Sequence, residues 1–197
     1  MEFQPLDQLT KIINDALNGT AKLHKSFKTF FVTTSILFLS MTKRKNFTQM
    51  ALFSDCSESR FRQNFRKKFD WVRYNLAFCR EKLRHRIAIA INTSYIPKLG
   101  IEYFYRDAKQ FTRLIHYQSR KMESLDFAFN MSLSSINVAR FFSRSCGMHL
   151  SVSNVKTLIH NADMIQRFIR MSGKRPHRLL NTNDFKELLF YGVSDAA

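Results

Sequence analysis

The sequence is poor in the residues that build tight turns, crosslinks and metal clusters. Its 197 residues include five Gly, three Pro and three Cys. So little Gly and Pro excludes a collagen-like or low-complexity chain and argues against a fold made of many tight turns. Cys56, Cys79 and Cys146 form no CxxC pair. Neither a disulfide framework nor a zinc site is therefore predicted.

Long apolar runs are also missing. The most apolar stretch is at 30–39, and a helix needs about 20 apolar residues to span a bilayer. The first residues, at 1–5, show no basic segment leading into an apolar run, which a signal peptide would have. We therefore expect residues 30–39 to form a buried helix of a cytoplasmic protein.

Acidic residues are scarce, whereas basic and aromatic ones are plentiful. There are 15 Asp and Glu against 32 Lys and Arg, and the formal net charge is +17. Hydrophobic residues make up 45% of the chain and include 20 Phe, so a folded core is expected rather than a disordered basic tail. A folded chain with this charge favours a polyanionic partner. Nucleic acid is the first hypothesis, and an anionic membrane surface is the alternative.

The periodicity of apolar residues predicts a mainly α-helical bundle. Alternation of Ile and Ala indicates at most one short strand, at 86–91, and the segment at 92–100 is predicted to be a loop. The predicted helices lie at about 6–17, 21–41, 46–53, 56–84, 101–120, 125–143, 152–171 and 183–191.

A helix-turn-helix is predicted at 46–73. A short helix capped by Asn46 precedes a tight turn, and the second helix is expected to begin with Asp55 as its cap and Glu58 three residues later. A short helix, a turn and a longer basic helix are typical of this DNA-binding motif. One stripe of the second helix is predicted to be buried, and it consists of Phe61, Phe65, Phe69 and Val72.

The opposite face of the second helix carries the predicted DNA contacts. The N-terminal end of a recognition helix meets base edges, and later positions hold phosphates. The predicted base-reading residues are Ser57, Ser59, Arg60 and Gln63. The predicted backbone contacts are Arg62, Arg66, Lys67, Lys68 and Arg73. The alternative is a solvated basic face on an ordinary helical bundle.

Two further segments resemble bacterial insertion-sequence transposases of the DDE class, which have a ribonuclease-H-like fold. The run at 86–98 is similar to the family's first catalytic strand, which ends in an aspartate followed by a Pro-Ser-Tyr-like segment. The run at 101–111 is similar to the helix that bears the third acid, with Glu102 in the Ile-Glu pair and Lys109 as the following Lys. The resemblance extends over nearly the whole chain, from its two ends inward.

This resemblance implies a catalytic site that has been lost. The family's transposition needs three carboxylates that hold two Mg²⁺ ions. Asn92 stands at the position of the first acid, and nine residues separate it from Glu102, which leaves no room for the strand that carries the second. We therefore expect no metal or other cofactor and no DNA cleavage or joining. Lys98 and Lys109 are expected to touch DNA phosphate.

The sequence thus predicts three regions and a function. Residues 1–85 form a helical DNA-binding region, 86–100 a remnant of the first catalytic strand with a junction loop, and 101–197 a C-terminal helical region of transposase type. The predicted function is that of an internally deleted transposase that still binds DNA, with transposon inverted-repeat ends, a second copy or full-length transposase as partners and no membrane.

Two alternatives to this function stay open. One is a helical protein that binds an anionic membrane or a protein partner through Phe-rich faces. A surface of that kind would include Met131, Leu133, Phe141 and Phe142, although their spacing is more typical of a core. The other alternative is a truncated remnant without a function.

Overall fold

The computed structural model describes residues 4–20, 23–42, 45–79, 106, 109–112, 117, 119, 121–173 and 182–194. Every regular element among them is an α-helix, which confirms the prediction of a mainly α-helical fold. The predicted strand at 86–91 lies outside these residues. The helices are α1 (Pro5–Asn18), α2 (Lys25–Ser40), α3 (Phe47–Leu52), α4 (Glu58–Asn64), α5 (Trp71–Cys79), α6 (Met122–Ser145), α7 (Val152–Met171) and α8 (Asn183–Phe190). Residues 106 and 109–111 are helical as well.

Short polar side chains begin several of these helices. Asn46 Oδ1 accepts a hydrogen bond from the backbone N–H of Gln49 at 2.7 Å, as the predicted cap of α3 should. Thr182 caps α8 in the same way. The predicted cap of the next helix after α3 is wrong: Ser57 accepts from the N–H of Arg60, and Asp55 lies two residues before the cap.

The predicted long helix at 56–84 is interrupted. Helix α4 ends at Asn64, whose side-chain amide donates to the carbonyl oxygen of Arg60 at 2.8 Å. A turn follows, and Asp70 Oδ1 accepts from the N–H of Arg73 at 2.9 Å to start α5. The break changes the direction in which later side chains point. Val72 is therefore 70% exposed instead of buried as predicted.

Aromatic side chains form the centre of the core. Phe30 and Phe31 of α2, Phe65 beside α4 and Phe127 of α6 are almost completely buried. The ring centroids of Phe65 and Phe127 are 4.6 Å apart, within the range for favourable aromatic pairs. Each such side chain contributes about 1.5–3 kcal/mol by leaving water. The predicted burial of Phe61 and Phe65 is confirmed, and Phe69 is partly buried.

The two ends of the chain share this core. Helices α1 and α2 both contact α6 and α7, and one hydrophobic cluster includes residues from all four. Met131 and Phe142 are 1% and 0% exposed, so they belong to the core and cannot line an external surface. Within the described ranges, none of the helices combines the length and the apolar character needed to cross a bilayer.

Candidate nucleic-acid interface

Most of the predicted DNA contacts come together where α4 ends and α5 begins. The structure places them on α4, at its cap, in the turn that follows and in the first turn of α5. Lys109 is exposed in the helical residues at 109–111. Lys98, together with Asn92 and Glu102 of the predicted catalytic segment, lies outside the described residues.

The predicted base-reading side chains are largely engaged within the protein. Ser57 caps α4, and its Oγ lies 3.0 Å from the Oγ of Ser59. Arg60 is half-buried and donates to the carbonyl oxygen of Ser26 at 3.2 Å. Gln63 is exposed, and of the four it is the one whose side chain makes no hydrogen bond to the described part of the chain. The geometry therefore provides little direct contact with base edges.

The predicted phosphate-binding side chains are, by contrast, exposed. Arg66, Lys68 and Arg73 point into solvent, and none has an ion pair with a described carboxylate. Lys67 is exposed too, with its ammonium group 5.3 Å from the centroid of the Phe27 ring. Together with Arg62, these four residues form the surface that we call the basic corner.

Arg62 is held more firmly than the other members of the basic corner. Its Nε donates to Oε1 of Glu58 at 2.9 Å, and its guanidinium lies over the ring of Phe47, 5.4 Å from the centroid. Thr48 donates to the other oxygen of Glu58 at 3.0 Å. The hydrogen bonds from Arg62 and then from Thr48 lower the pKa of Glu58. The Glu58 carboxylate thus forms an ion pair with Arg62 next to the Phe47 ring.

A cleft of about 890 Å³ opens beside the basic corner. One wall comes from α3, its cap and α4, and consists of Asn46, Phe47, Thr48, Arg62 and Arg66. The other wall comes from residues 117, 119 and 121 and the first turn of α6, and consists of Tyr117, Ser119, Lys121, Ser124 and Leu125. None of these described lining residues is Asp or Glu, and since Glu58 pairs with Arg62, the net positive charge of the described lining comes from Arg66 and Lys121.

The wall opposite α4 was not identified from the sequence. Tyr117 stacks on Phe65 with ring centroids 5.6 Å apart, and this contact brings Tyr117, Ser119 and Lys121 next to α4. Burial raises the pKa of the Tyr117 hydroxyl, and the nearby Arg62 guanidinium opposes the shift. Lys121 is exposed and has no ion pair among the described residues. No local motif links these residues to α4, because the contact depends on the folding of a distant segment.

Arg167 of helix α7 differs from the exposed cations of the basic corner because it is bonded within the protein. Arg167 donates to Oδ2 of Asp163 at 3.1 Å and to the carbonyl oxygen of Phe53, and its guanidinium lies 5.7 Å from the centroid of the Phe53 ring. Its side chain is 30% exposed. Arg167 thus links α7, through its contacts with Phe53, to the turn between α3 and α4.

The described residues contain no group of three His, Cys, Asp or Glu side chains that could hold a metal ion. The predicted remnant of a DDE site is not among them. No family model, no curated protein and no solved structure matches this chain. The similarity to insertion-sequence transposases therefore stays a prediction from the residues quoted above.

Proposed function

We propose that this chain binds DNA through the basic corner, as a transposase-derived protein that neither cuts nor joins DNA. The observation that supports the proposal best is the group of exposed cations at Arg66, Lys68 and Arg73, which have no ion pair with described residues. Unpaired cations on one surface are what a phosphate backbone attracts, because binding releases the counterions of the DNA.

The hydrogen bonds that the predicted base-reading residues make inside the protein determine what kind of DNA binding we expect. Ser57 and Arg60 already make hydrogen bonds inside the protein. Contacts to phosphate carry no sequence information directly, whereas contacts to base edges do. We therefore expect binding with a strong dependence on salt and a weak dependence on DNA sequence, with Gln63 as the residue best placed to contact a base.

The absence of cleavage in this proposal rests on the sequence. Asn92 is a neutral amide where the resembled family has its first acid, and nine residues separate it from Glu102. A two-metal site needs several carboxylates around the ions. The proposal includes a cytoplasmic location and pairing with a second copy or with full-length transposase, and in it the selection of transposon inverted-repeat ends comes from the full-length partner.

The test compares two charge-matched double variants. Lys68→Gln with Arg73→Gln removes two cations from the basic corner, and Lys11→Gln with Lys186→Gln removes two exposed cations from α1 and α8. DNA affinity is measured by fluorescence anisotropy at several salt concentrations. We expect the slope of log K against log salt to fall by about two units for the first pair and little for the second.

Each outcome separates the hypotheses. Equal slopes for the two double variants would show that the net charge, rather than the basic corner, drives binding. Binding to anionic vesicles without binding to duplex DNA would favour the membrane alternative. Mg²⁺-dependent cleavage of supercoiled DNA by the purified chain would contradict the proposed lack of catalysis.

A further inference from the structure

The cleft beside the basic corner has the size of a ligand site. Its volume of about 890 Å³ lies towards the upper end of the roughly 300–1,000 Å³ that small-molecule sites occupy. Arg62, Arg66 and Lys121 line it, and the described lining residues include no carboxylate, while Glu58 pairs with Arg62 from beside the cleft. Such a space suits an anion that is much larger than a single phosphate ion.

Arg62 offers a flat surface inside this cleft. Phe47 lies on one side of its guanidinium at 5.4 Å, and Glu58 holds the group in plane. The Arg62 side chain is nevertheless 57% exposed. Guanidinium planes and aromatic rings are the surfaces on which unpaired bases stack. Because Glu58 and Phe47 already contact the guanidinium, Arg62 can accept a base with less loss of side-chain entropy than an arginine without such contacts.

Two other cations face the same space from opposite walls. Arg66 follows Arg62 by four residues, and Lys121 precedes the first turn of α6. Both are exposed and lack an ion pair among the described residues. An Arg and a Lys on opposite sides of a cleft can hold one phosphate between them. Tyr117 and Leu125 add an apolar part to the wall that carries Lys121.

We propose that the cleft binds a nucleoside phosphate, with the base stacked on Arg62 and the phosphate between Arg66 and Lys121. A free nucleotide and an unpaired nucleotide at the end of a DNA strand share this chemistry. A strand end as the ligand rests on the proposed function, since it needs a chain that binds DNA. A free nucleotide as the ligand does not.

The test measures how much the base increases the affinity of the protein over that for the phosphate groups alone. Binding of ATP is compared with that of tripolyphosphate by calorimetry. Binding of a duplex with a five-nucleotide single-stranded tail is compared, by anisotropy, with that of the same duplex carrying an abasic tail. We expect the base-bearing probe to bind at least about fivefold more tightly in one of the two pairs, as expected for one stacked base. A preference for ATP over tripolyphosphate identifies a free nucleotide as the ligand. If only the base-bearing tail is preferred, the ligand is an unpaired nucleotide at a strand end.

Variants assign the effect to the cleft. Arg62→Lys keeps the charge and removes the flat surface, so it should abolish the preference for the base. Lys121→Gln should weaken the preferred probe by about fivefold or more, as loss of one charged contact does. Lys186→Gln is the matched control on α8 and should change nothing. Circular dichroism verifies that all three variants are folded.

Two results would overturn the inference. One is equal binding of the base-bearing and the base-free probe in both pairs, and the other is an equal effect of Lys121→Gln and Lys186→Gln. Either could occur while the basic corner still binds blunt duplex DNA, which would leave the proposed function intact. Conversely, a chain that fails to bind any duplex but prefers ATP to tripolyphosphate would refute the proposed function and support the cleft.

Discussion

Arg66 of the basic corner and Arg167 of helix α7 are used in opposite ways. Arg167 is bonded to Asp163 and to the turn after α3, and its side chain is 30% exposed. Arg66 is exposed and has no ion pair with described residues. Even within the basic corner the cations differ, because Arg62 is paired with Glu58. A net charge of +17 therefore does not by itself locate a binding surface. What distinguishes Arg66 from Arg167 is that Arg167 already has hydrogen-bond partners inside the protein.

The largest expected effect comes from the aromatic layer beneath the basic corner. Phe65 is 0% exposed, and Phe168 of α7 is 72% exposed. Phe65→Ala should lower the free energy of unfolding by about 3–5 kcal/mol because it leaves a cavity in the core. Phe168→Ala should stay within about 0.5 kcal/mol. Urea unfolding followed by circular dichroism measures both. Similar losses for the two variants would mean that the face of α7 bearing Phe168 is packed in solution.

Replacing one arginine in each region tests the comparison directly. Arg167→Ala removes hydrogen bonds to a carboxylate and to a carbonyl, so it should lower the free energy of unfolding by about 1–2 kcal/mol. It should leave DNA affinity unchanged. Arg66→Ala should change stability by less than about 0.5 kcal/mol and should weaken DNA binding. If Arg167→Ala weakened DNA binding as much as Arg66→Ala, the proposed division between the two regions would be wrong.

Helix caps should behave alike in the two regions. Ser57 and Ser151 each accept a hydrogen bond from a first-turn N–H, at 3.3 Å in α4 and 3.2 Å in α7. Ser57→Ala and Ser151→Ala should each lower the free energy of unfolding by about 1 kcal/mol. Ser57→Asn keeps a capping side chain and should restore stability. If Ser57→Asn were stable but altered the preferred DNA sequence, Ser57 would be a base-reading residue rather than only a cap.

The smallest expected effect concerns the pH dependence of the ion pair beside the cleft. Hydrogen bonds from Arg62 and Thr48 lower the pKa of Glu58. A carboxyl group whose pKa is lowered on folding adds stability above its ordinary pKa of about 4.3. This stability is lost as the pH falls through the lowered pKa. Glu58→Gln should therefore be slightly less stable than the unchanged protein at pH 7 and equal to it near pH 2. Urea unfolding at several pH values measures the difference, and a gap independent of pH would contradict the role of the charge.

The sequence predicts the helices well where their periodicity is uninterrupted. Helix α7 has the predicted bounds, and Asn46 caps α3 as its position suggested. The prediction of one continuous helix at 56–84 is wrong for a local reason. Its apolar pattern continues past residue 64. The helix is nevertheless interrupted there, where the side chains of Asn64 and Asp70 form hydrogen bonds with the backbone. Asn and Asp side chains compete with the helical backbone for hydrogen bonds, and the periodicity of apolar residues gives no information about this competition.

The candidate site was predictable only in part. Arg66, Lys68 and Arg73 could be selected because they lie on or beside the face opposite the apolar stripe of the predicted basic helix, and the structure leaves them exposed. That Arg60 donates to Ser26, 34 residues away, could not be derived from the local sequence. The cleft wall formed by Tyr117, Ser119 and Lys121 could not be derived either, because it depends on the stacking of Tyr117 on Phe65. Local patterns identify charges, but long-range packing decides which of them stay free.

The end of α4 has a consequence for how this protein can change over evolutionary time. Arg66 and the two lysines after it follow the last carbonyl groups of α4, where the helix carries a partial negative charge. Cations at such a position stabilise a helix by about 0.3–1 kcal/mol. The same three charges belong to the proposed DNA surface. Selection for a stable fold and selection for a polyanionic partner would therefore preserve the same residues, so substitution patterns at these positions alone cannot separate the two pressures.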